Sequence, residues 1–321
     1  AMSAHWPMRW SAWPKAEICA NAWGLPRAGG WKQDTRCSMP AIVHPAPGNR
    51  RSTMAVTASA AGGAEEGQIM RLIVGIVFGL ALACARPALA ETYTLDYEAA
   101  VLGVVVVGEA HYSIDADADG YEVRSTLRTS GLARLFDQTD ITASSQGAIT
   151  QEGLSWRRYS LAHNYAQKSR RTTMTRSASG VALDIAPQYG NMGSPPASAD
   201  QRYGSHDPLS AVFALGRQVS RAGSCQGAVR VFDGRQHYRL SLTPKGVGTY
   251  SGGGYDGRAI SCYFHYQPIA GFNRDFDRSN IPTAVIWFAM QDGASFAPPL
   301  RLTVPTPLGE ARLDLRGFQR R

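Results

Sequence analysis

The chain has 321 residues, 44% of them hydrophobic, and carries 33 Lys and Arg against 25 Asp and Glu. The formal net charge of +8 is concentrated near the start, because residues 91–321 hold 24 basic and 21 acidic side chains and are only +3 (24 − 21). That balance predicts no nucleic-acid partner, and this part is long enough for one large β domain or two small ones.

Residues 1–69 show no sustained apolar period and hold many Pro, Gly and Ala, together with five of the seven Trp. Such a segment has little prospect of burying a core of its own. We interpret it as the product of a mis-assigned translation start, with Met70 as the true first residue. The alternative is a disordered cytoplasmic extension.

Residues 70–90 read "MRLIVGIVFGLALACARPALA", which predicts a secretory signal peptide. A short basic start leads into the apolar run Leu72–Ala85, and the Ala-Leu-Ala site at 88–90 places cleavage before Glu91. The run is too short and too interrupted to favour a membrane span, and the residues before Cys84 disfavour lipidation there. We expect export to the periplasm, with no stable transmembrane segment after processing.

Period-two alternation, typical of antiparallel strands with one apolar and one wet face, recurs throughout residues 91–321. The clearest runs begin at Tyr93, Tyr121, Tyr238, Ile260 and Ala311. On this reading His237 and His265 both lie on the polar side. The basic stretch Lys168–Arg176 predicts a solvated edge strand, since charge there blocks unwanted pairing. Contact with an acidic lipid or a polysaccharide is the alternative for this stretch.

Helical signal is concentrated after residue 206. Asp207 suits a helix N-cap, Pro208 suits the first helical position, and an apolar stripe continues through Gly216. A weaker helical turn is predicted over Gly131–Phe136, and the Pro- and Gly-rich segment Ala186–His206 predicts a long loop. Although Ser205, His206 and Asp207 are the residue types of a hydrolase triad, consecutive side chains cannot line up as one, so we favour the cap.

The stretch "IDADADGYEV" begins like a calcium loop, with Asp115, Asp117 and Asp119 at alternate positions before a glycine. A calcium loop needs an acidic residue at position twelve, but this position is Thr126. We therefore favour a hairpin turn, with weak calcium binding as the alternative. Asp-Gly is a preferred hairpin turn and occurs four times, at 119–120, 233–234, 256–257 and 292–293. The glycine-rich "YSGGGYDG" (Tyr250–Gly257) also predicts a turn, because it lacks the features of a phosphate loop.

Only Cys225 and Cys262 follow the predicted cleavage site. In an oxidising compartment such a pair predicts a disulfide, with two buried thiols as the alternative. No histidine of residues 91–321 has the spacing of a zinc site, so we predict no metal and no cofactor.

Several segments, taken in order, resemble the bacterial family called domain of unknown function 3108. They are "YTLDYEAAVLGVVVVGEAHYSI", "YEVRSTLRTSGLARLF", "DPLSAVFAL", "VFDGRQHYRLSL", "YDGRAISCYFHYQPIAGF", "VIWFAM" and "PLRLTVPTPLGEARL". The resemblance runs from about Tyr93 to Phe318. It implies an exported protein of Gram-negative type with a β-rich fold and no established activity, and it supplies no catalytic residues.

We therefore predict one mainly β domain over residues 91–321, a strongly curved antiparallel sheet or incomplete barrel with one or two short helices. The leading functional hypothesis is a non-enzymatic periplasmic protein that binds a lipid, another apolar ligand or a cell-envelope partner. Its candidate ligand-binding residues are Tyr93, Tyr97, Phe264, Tyr266 and Trp287, which could equally fill an ordinary core. The alternatives are an envelope hydrolase and a scaffold that binds through a sheet edge. The candidate polar groups of the hydrolase are His237, His265, Asp233 and Asp256.

Overall fold

A computed structural model describes residues 90–135, 137–165, 168–307 and 309–321, so the predicted signal peptide and residues 1–69 lie outside the described part. Thirteen strands account for most of it. They are β1 (Glu91–Val101), β2 (Val105–Ala116), β3 (Gly120–Thr129), β4 (Thr139–Thr150), β5 (Gly153–Tyr165), β6 (Lys168–Ser177), β7 (Gly180–Ala186), β8 (Gly227–Phe232), β9 (His237–Gly252), β10 (Tyr255–Ala270), β11 (Ala284–Ala289), β12 (Pro299–Thr306) and β13 (Gly309–Arg320).

All thirteen strands form one antiparallel sheet in the order β7-β6-β5-β4-β3-β2-β1-β13-β12-β11-β10-β9-β8. The first and last strands of the chain pair with each other, with Tyr93 opposite Arg320. The sheet is therefore continuous where the N-terminal strand β1 meets the C-terminal strand β13, and its two free edges are β7 and β8. The prediction of a single antiparallel, incompletely closed sheet is confirmed.

The chain crosses from β7 to β8 through two helices, α1 (Ala199–Tyr203) and α2 (Pro208–Ala222). Helix α2 begins as predicted, with Asp207 as N-cap and Pro208 in the first turn, but it extends six residues beyond Gly216. A 3₁₀ helix over Gly131–Leu135 matches the predicted weak turn. No helix of the described residues is long and apolar enough to span a membrane.

Helix α2 lies inside the curve of the sheet and separates two groups of buried side chains. Leu209 and Phe213 pack in a group that comes mainly from β1–β6 and includes some residues of β8 and β10–β13, whereas Leu215 and Val219 pack with β8–β11. An added Cβ at Gly216 would lie only 2.2 Å from the Phe296 ring, so this glycine allows the loop before β12 to pack directly on the helix. The concave face of the sheet is thus filled by protein.

The segment before α2 is bonded to strands on both sides of the opening. Tyr112 of β2 donates to Leu209 O, and Trp156 of β5 donates to Ser205 O. On the other side His206 N donates to Arg230 O of β8, and Phe232 N donates to His206 O. This segment therefore covers the edge of β8 and holds the helix against β2–β5.

Asp207 is the most constrained residue of this segment. Its Oδ1 accepts the Leu209 and Ser210 amides at 3.0 and 3.1 Å, and its Oδ2 accepts the Ser145 hydroxyl of β4 at 2.8 Å. The Ser210 hydroxyl also donates to Oδ2 and lies 2.7 Å from the Tyr121 hydroxyl of β3. Burial raises the pKa of Asp207 above its ordinary value of 3.8, although the hydrogen bonds it accepts act in the opposite direction.

Three local predictions were wrong. The predicted loop 186–206 contains α1, which is closed by a capping box at Ser198. The basic stretch forms β6, and the edge strand is β7. Asp256-Gly257 lies within β10, and the turn before it is made by Gly252–Gly254, all with positive φ. In each case the local sequence indicated the polarity of the segment or the presence of a turn. It did not indicate where the segment lies relative to its neighbours in the sheet.

The stretch 114–123 forms a hairpin between β2 and β3, as predicted, with Asp117–Asp119 at its tip. The Asp117 carboxylate accepts the backbone amides of Asp119 and Gly120 at 3.0 and 2.7 Å, and Gly120 does not adopt positive φ. The turn is thus an aspartate-capped loop, not a two-residue turn. Within the described residues no group of three or more potential metal ligands occurs.

Cys225 and Cys262 form the predicted disulfide, with Cα atoms 5.5 Å apart. Both cysteines are buried against the face of α2 that packs on β8–β11. The bridge ties the segment after α2 to β10, and therefore fixes the C-terminal end of the helix.

We expect Asp207→Ala to lower the free energy of unfolding by about 3 kcal/mol, because it removes a helix cap and leaves buried hydroxyls and amides without a partner. Asp207→Asn keeps the cap and removes the buried charge, so its loss should stay below about 1 kcal/mol. Urea unfolding of both variants measures the difference. Equal losses would contradict the role given to the side-chain acceptor.

The raised pKa of Asp207 also sets a pH dependence. Folding then favours the protonated carboxyl, so the contribution of Asp207 to stability increases as pH falls from neutral towards 3.8. The stability difference between the wild type and Asp207→Asn should shift in favour of the wild type over this range. Urea midpoints measured at several pH values test this, and a difference that is independent of pH would contradict it.

Candidate functional site

A cleft of about 400 Å³ lies where β4 turns into β5, beside the C-terminal half of α2. Its lining comes from the β4–β5 turn, the end of β6, the segment before α2, and α2 itself. The lining residues are Thr150, Glu152, Gly153, Leu154, Ser155, Arg176, His206, Ala214, Arg217, Gln218 and Arg221. Three guanidinium groups therefore share this cleft with one carboxylate.

Arg217 differs from the other two arginines of the cleft because it is largely buried. The residue is only 9% exposed, yet its guanidinium makes no ion pair or hydrogen bond with the described residues and contacts the Phe213 ring at 5.4 Å. Burial lowers the pKa of Arg217, and the charge of Arg221 lowers it further. The charge of the Glu91 carboxylate raises the pKa of Arg217 from a distance, but this carboxylate accepts its hydrogen bonds from Arg320 and Tyr93. A buried cation without a counter-ion is costly, so the site favours an anion.

Other polar groups around the cleft also lack partners within the described residues. They include Nε of Arg176, Nδ1 of His206 and Oε1 of Gln218, all of them buried. Arg176 is held in place by a hydrogen bond from Nη1 to the Ser155 hydroxyl at 3.2 Å and by stacking over the Tyr203 ring at 4.4 Å. Its orientation is thus fixed while one of its donors remains free.

The cleft differs in this respect from a second cleft of about 410 Å³ lined by Asn191, Gly193, Ser194, Asn273, Arg274 and Asp275. There the side chains of Asn191 and Asn273 already accept hydrogen bonds from Arg235. Of these two clefts, the first is the one in which several cations meet buried polar groups that lack a partner among the described residues. Guanidinium groups match oxyanions in geometry, so this arrangement can bind a phosphate, sulfate or carboxylate group.

The structure divides the five predicted ligand-binding aromatics between the two packed groups. Tyr93 and Tyr97 are buried with β1–β6, and Trp287 packs against that group. Phe264 and Tyr266 pack on the side of β8–β11. The five side chains therefore do not line one common cavity, and their contact with a ligand stays a prediction.

Two of these aromatics are bonded within the core. The Tyr93 ring meets Phe296 edge-on at 5.2 Å, and burial raises its pKa to about 12. The Tyr97 hydroxyl donates to Pro299 O at 2.7 Å. These contacts hold the loop before β12 against β1.

The predicted polar groups of a hydrolase are not brought together. His265 shares a hydrogen bond with the Thr243 hydroxyl at 3.0 Å, and Asp233 Oδ1 accepts the Arg235 and Gln236 amides of the turn. No hydrogen bond joins any two of His237, His265, Asp233 and Asp256 in the described part of the chain.

The placement of His237 on the polar side was wrong. The residue is 2% exposed, and neither ring nitrogen has a partner among the described residues. The pairing of β9 with β10 shifts by one residue between Pro268 and Ala270, opposite His237. The additional residue at this shift is Ile269 of β10, so β9 keeps its alternation and His237 stays on the face of Arg239 and Ser241. Its burial shows that this face is covered, not solvated, at this end of the strand.

Sequence reasoning missed the cleft. Arg217 and Arg221 are four residues apart and therefore share one face of α2, beside its apolar stripe. An uncompensated pair of like charges at this spacing is the signal that could have drawn attention to the helix.

The fold and the cleft define a class of protein, an open antiparallel β-barrel-like sheet that is filled by its own helix and has a basic cleft at one end. The family model described as "Protein of unknown function (DUF3108)" matches residues 92–316, and the chain belongs to this family. The resemblance expected from the sequence is thus confirmed.

Other comparisons add little. No curated protein matches the chain. Among solved structures, the chain is similar to a beta-barrel-like protein of domain of unknown function DUF1849 from Brucella abortus, with 11% identity and a TM-score of 0.45. The alignment covers 74% of this chain and 100% of that one. A likeness at this level carries no argument about function.

Arg217 is a largely buried cation without a direct counter-ion among the described residues, so its replacement should stabilise the protein. We expect Arg217→Met to raise the free energy of unfolding by about 1 kcal/mol, because Met keeps the packing and removes the charge. Arg239→Met is the matched control, since Arg239 is exposed and has no ion pair within the described part of the chain, and its effect should stay within about 0.5 kcal/mol. Urea unfolding in an anion-poor buffer checks both values. A loss of stability in Arg217→Met would contradict the unpaired-cation account.

Proposed function

We propose that the protein is an exported, non-enzymatic binding protein of the cell envelope that holds an anionic group of an envelope component in the arginine cleft. The observation that carries this proposal is Arg217, a residue only 9% exposed whose guanidinium has no ion pair or hydrogen bond with the described residues. The expected signal peptide at residues 70–90 supports the envelope as the location.

The ligand that fits the cleft carries a compact oxyanion, such as a phosphate or sulfate group. Arg176, Arg217 and Arg221 supply the charge, and the hydrogen bond from Arg176 Nη1 to the Ser155 hydroxyl fixes the position of one of these guanidinium groups. Bonds from charged donors to an oxyanion are worth more than neutral ones, particularly where water is partly excluded. The half-buried Leu154 and the buried Ala214 leave an apolar wall for the part of the ligand beside the anion.

This proposal modifies the expectation of a lipid or other apolar ligand. The concave face of the sheet is filled by α2, so an acyl chain would have to displace the helix to occupy it. An anionic headgroup, a phosphorylated sugar or an acidic polysaccharide needs only the cleft. No observation favours the hydrolase alternative, because the four polar groups proposed for it do not meet.

Binding of inorganic phosphate to the purified full chain tests the proposal. We expect saturable binding by isothermal titration calorimetry, and an affinity at least about tenfold lower in Arg217→Met, since one charge-assisted contact is lost. Arg239→Met should bind as the wild type does. Parallel titrations with sulfate and acetate distinguish tetrahedral oxyanions from carboxylates. Equal phosphate affinity in the wild type and Arg217→Met, or no saturable binding at all, would count against the cleft.

The affinity should also depend on pH through His206. Burial lowers the pKa of His206 below 6.5 in the empty cleft, and the nearby Arg176 lowers it further. A bound anion stabilises the imidazolium and raises that pKa, so binding takes up a proton. Sulfate is the suitable probe because its charge stays constant, and its affinity should increase as pH falls from about 7.5 to about 5.5.

His206→Gln is the control for this pH dependence. The substitution leaves intact the backbone bonds of residue 206 to β8, and it removes only the titratable ring. Its sulfate affinity should change little over the same range. A profile shared by the wild type and His206→Gln would assign the proton uptake to another group.

A further inference from the structure

Exposed apolar side chains are concentrated at one end of the sheet. Seven large hydrophobic residues are exposed in the described part of the chain, and four of them lie together. These four are Leu102 and Val104 at the β1–β2 turn, Val105 at the start of β2, and Leu135 at the end of the 3₁₀ helix; they are 56%, 81%, 42% and 74% exposed. We call them the apolar tip. Isolated exposed hydrophobic residues need no explanation, but a cluster does.

The four residues belong to neighbouring elements. The 3₁₀ helix packs beside the first part of β2, where Ser130 N donates to Val107 O at 3.1 Å. The pairing of β1 with β2 places Val101 opposite Val105, and the turn lies beside the start of β13, where an added Cβ at Gly309 would be 3.4 Å from the Leu102 side chain. Leu102 occupies the turn with φ of 54°, an uncommon conformation for a leucine. The chain thus holds a large apolar side chain at a position where Gly or Asn is the usual choice.

The backbone of the turn already has internal partners. Val104 N donates to Val101 O at 3.3 Å, and Arg312 Nη2 donates to Gly103 O at 2.9 Å. Polar backbone groups with partners cost less to transfer from water to an apolar medium. The tip therefore combines exposed aliphatic side chains with a turn that can leave water.

The charges around the tip are compensated. Arg128 pairs with Glu109 at 3.3 Å, and Arg134 pairs with Asp140 at 3.0 Å. Arg312 lies 3.4 Å from the Asp314 carboxylate, which also pairs with Arg301, and the exposed Glu310 at the start of β13 balances the second positive charge. The tip consequently has no strong local field to attract an acidic surface, and its contact with a partner must depend on its apolar area.

The size of the tip decides between a protein and a bilayer as the partner. Four partly exposed aliphatic side chains offer on the order of a few hundred Å², whereas a stable protein interface needs about 800 Å² on each side. Insertion of a few aliphatic side chains into the boundary between headgroups and acyl chains has no such minimum area, and its strength scales with the apolar area buried.

We propose that the apolar tip inserts into the surface of a lipid bilayer and anchors the domain there reversibly. The β4–β5 turn lies at the opposite end of the strands from the β1–β2 turn, as the register of β2, β3 and β4 requires. Attachment through the tip leaves the arginine cleft facing the aqueous phase. The anchor does not depend on the anion-binding proposal, because it uses different residues and a different ligand.

Photo-labelling from the bilayer tests the proposal on the full chain. Phosphatidylcholine vesicles that carry a trace of photoactivatable acyl chain are mixed with the protein, and adducts are located by peptide mass spectrometry. We expect adducts at residues 101–107. The Leu102→Asn and Val104→Ser double variant should reduce these adducts by about tenfold, because most of the inserted apolar area is lost. Asn tolerates the positive φ of residue 102, so the turn is preserved.

Val247→Ser is the matched control, because Val247 is also an exposed valine (71%) but lies in the middle of β9. Its labelling at residues 101–107 should equal that of the wild type. Adducts from the apolar run at residues 72–85 fall in a different peptide and do not enter the comparison. The wild-type labelling should persist in about 0.5 M salt and should not require an acidic lipid, since the charges at the tip are paired.

Three results would overturn the proposal. The first is labelling at the tip no greater than that around Val247. The second is labelling at the tip only with phosphatidylglycerol vesicles and only at low salt, which would indicate an electrostatic contact. The third is a dimer in sedimentation that the double variant abolishes, which would assign the tip to contact between two copies of this chain.

Discussion

The fold depends on one buried carboxylate and the short segment around it. Residues 205–210 accept or share hydrogen bonds with side chains from four successive strands, β2 to β5, and pair through their backbone with β8. Asp207 is the centre of this arrangement because it caps α2 and binds Ser145 with the same side chain. These bonds place the helix inside the sheet and cover the edge strand β8, which would otherwise be open to unwanted pairing.

The position of the helix determines where a ligand can bind. Because α2 packs with both halves of the sheet, the concave face is occupied, and the space that remains is the cleft at one end. The helix contributes both Arg217 and Arg221 to that cleft, and the His206 segment contributes the imidazole. The bonds that hold the helix in place therefore also position the cationic groups. The carboxylate that supports the fold and three of the cleft residues, His206, Arg217 and Arg221, therefore lie within a single stretch of the chain.

The sequence contained the main features of the fold. Alternation predicted the antiparallel strands, Asp207-Pro208 predicted the start of α2, and the two remaining cysteines predicted the disulfide, because each depends on local geometry or on a simple count. The cleft could not be predicted in this way, since Arg176, His206 and Arg217 come from a strand, a connecting segment and a helix. The burial of His237 was missed because the polar face of β9 is covered at that end of the strand, and alternation within one strand does not show what packs on its faces.

The central claim is that the cleft holds an oxyanion between its three arginines. Crystals of the protein soaked in selenate, an anomalously scattering analogue of sulfate, test this claim most directly. An anomalous peak is expected within hydrogen-bond distance of the Arg217 guanidinium, in the cleft that Arg176 and Arg221 also line. A map in which the cleft holds no peak while selenate is ordered elsewhere on the protein would contradict it.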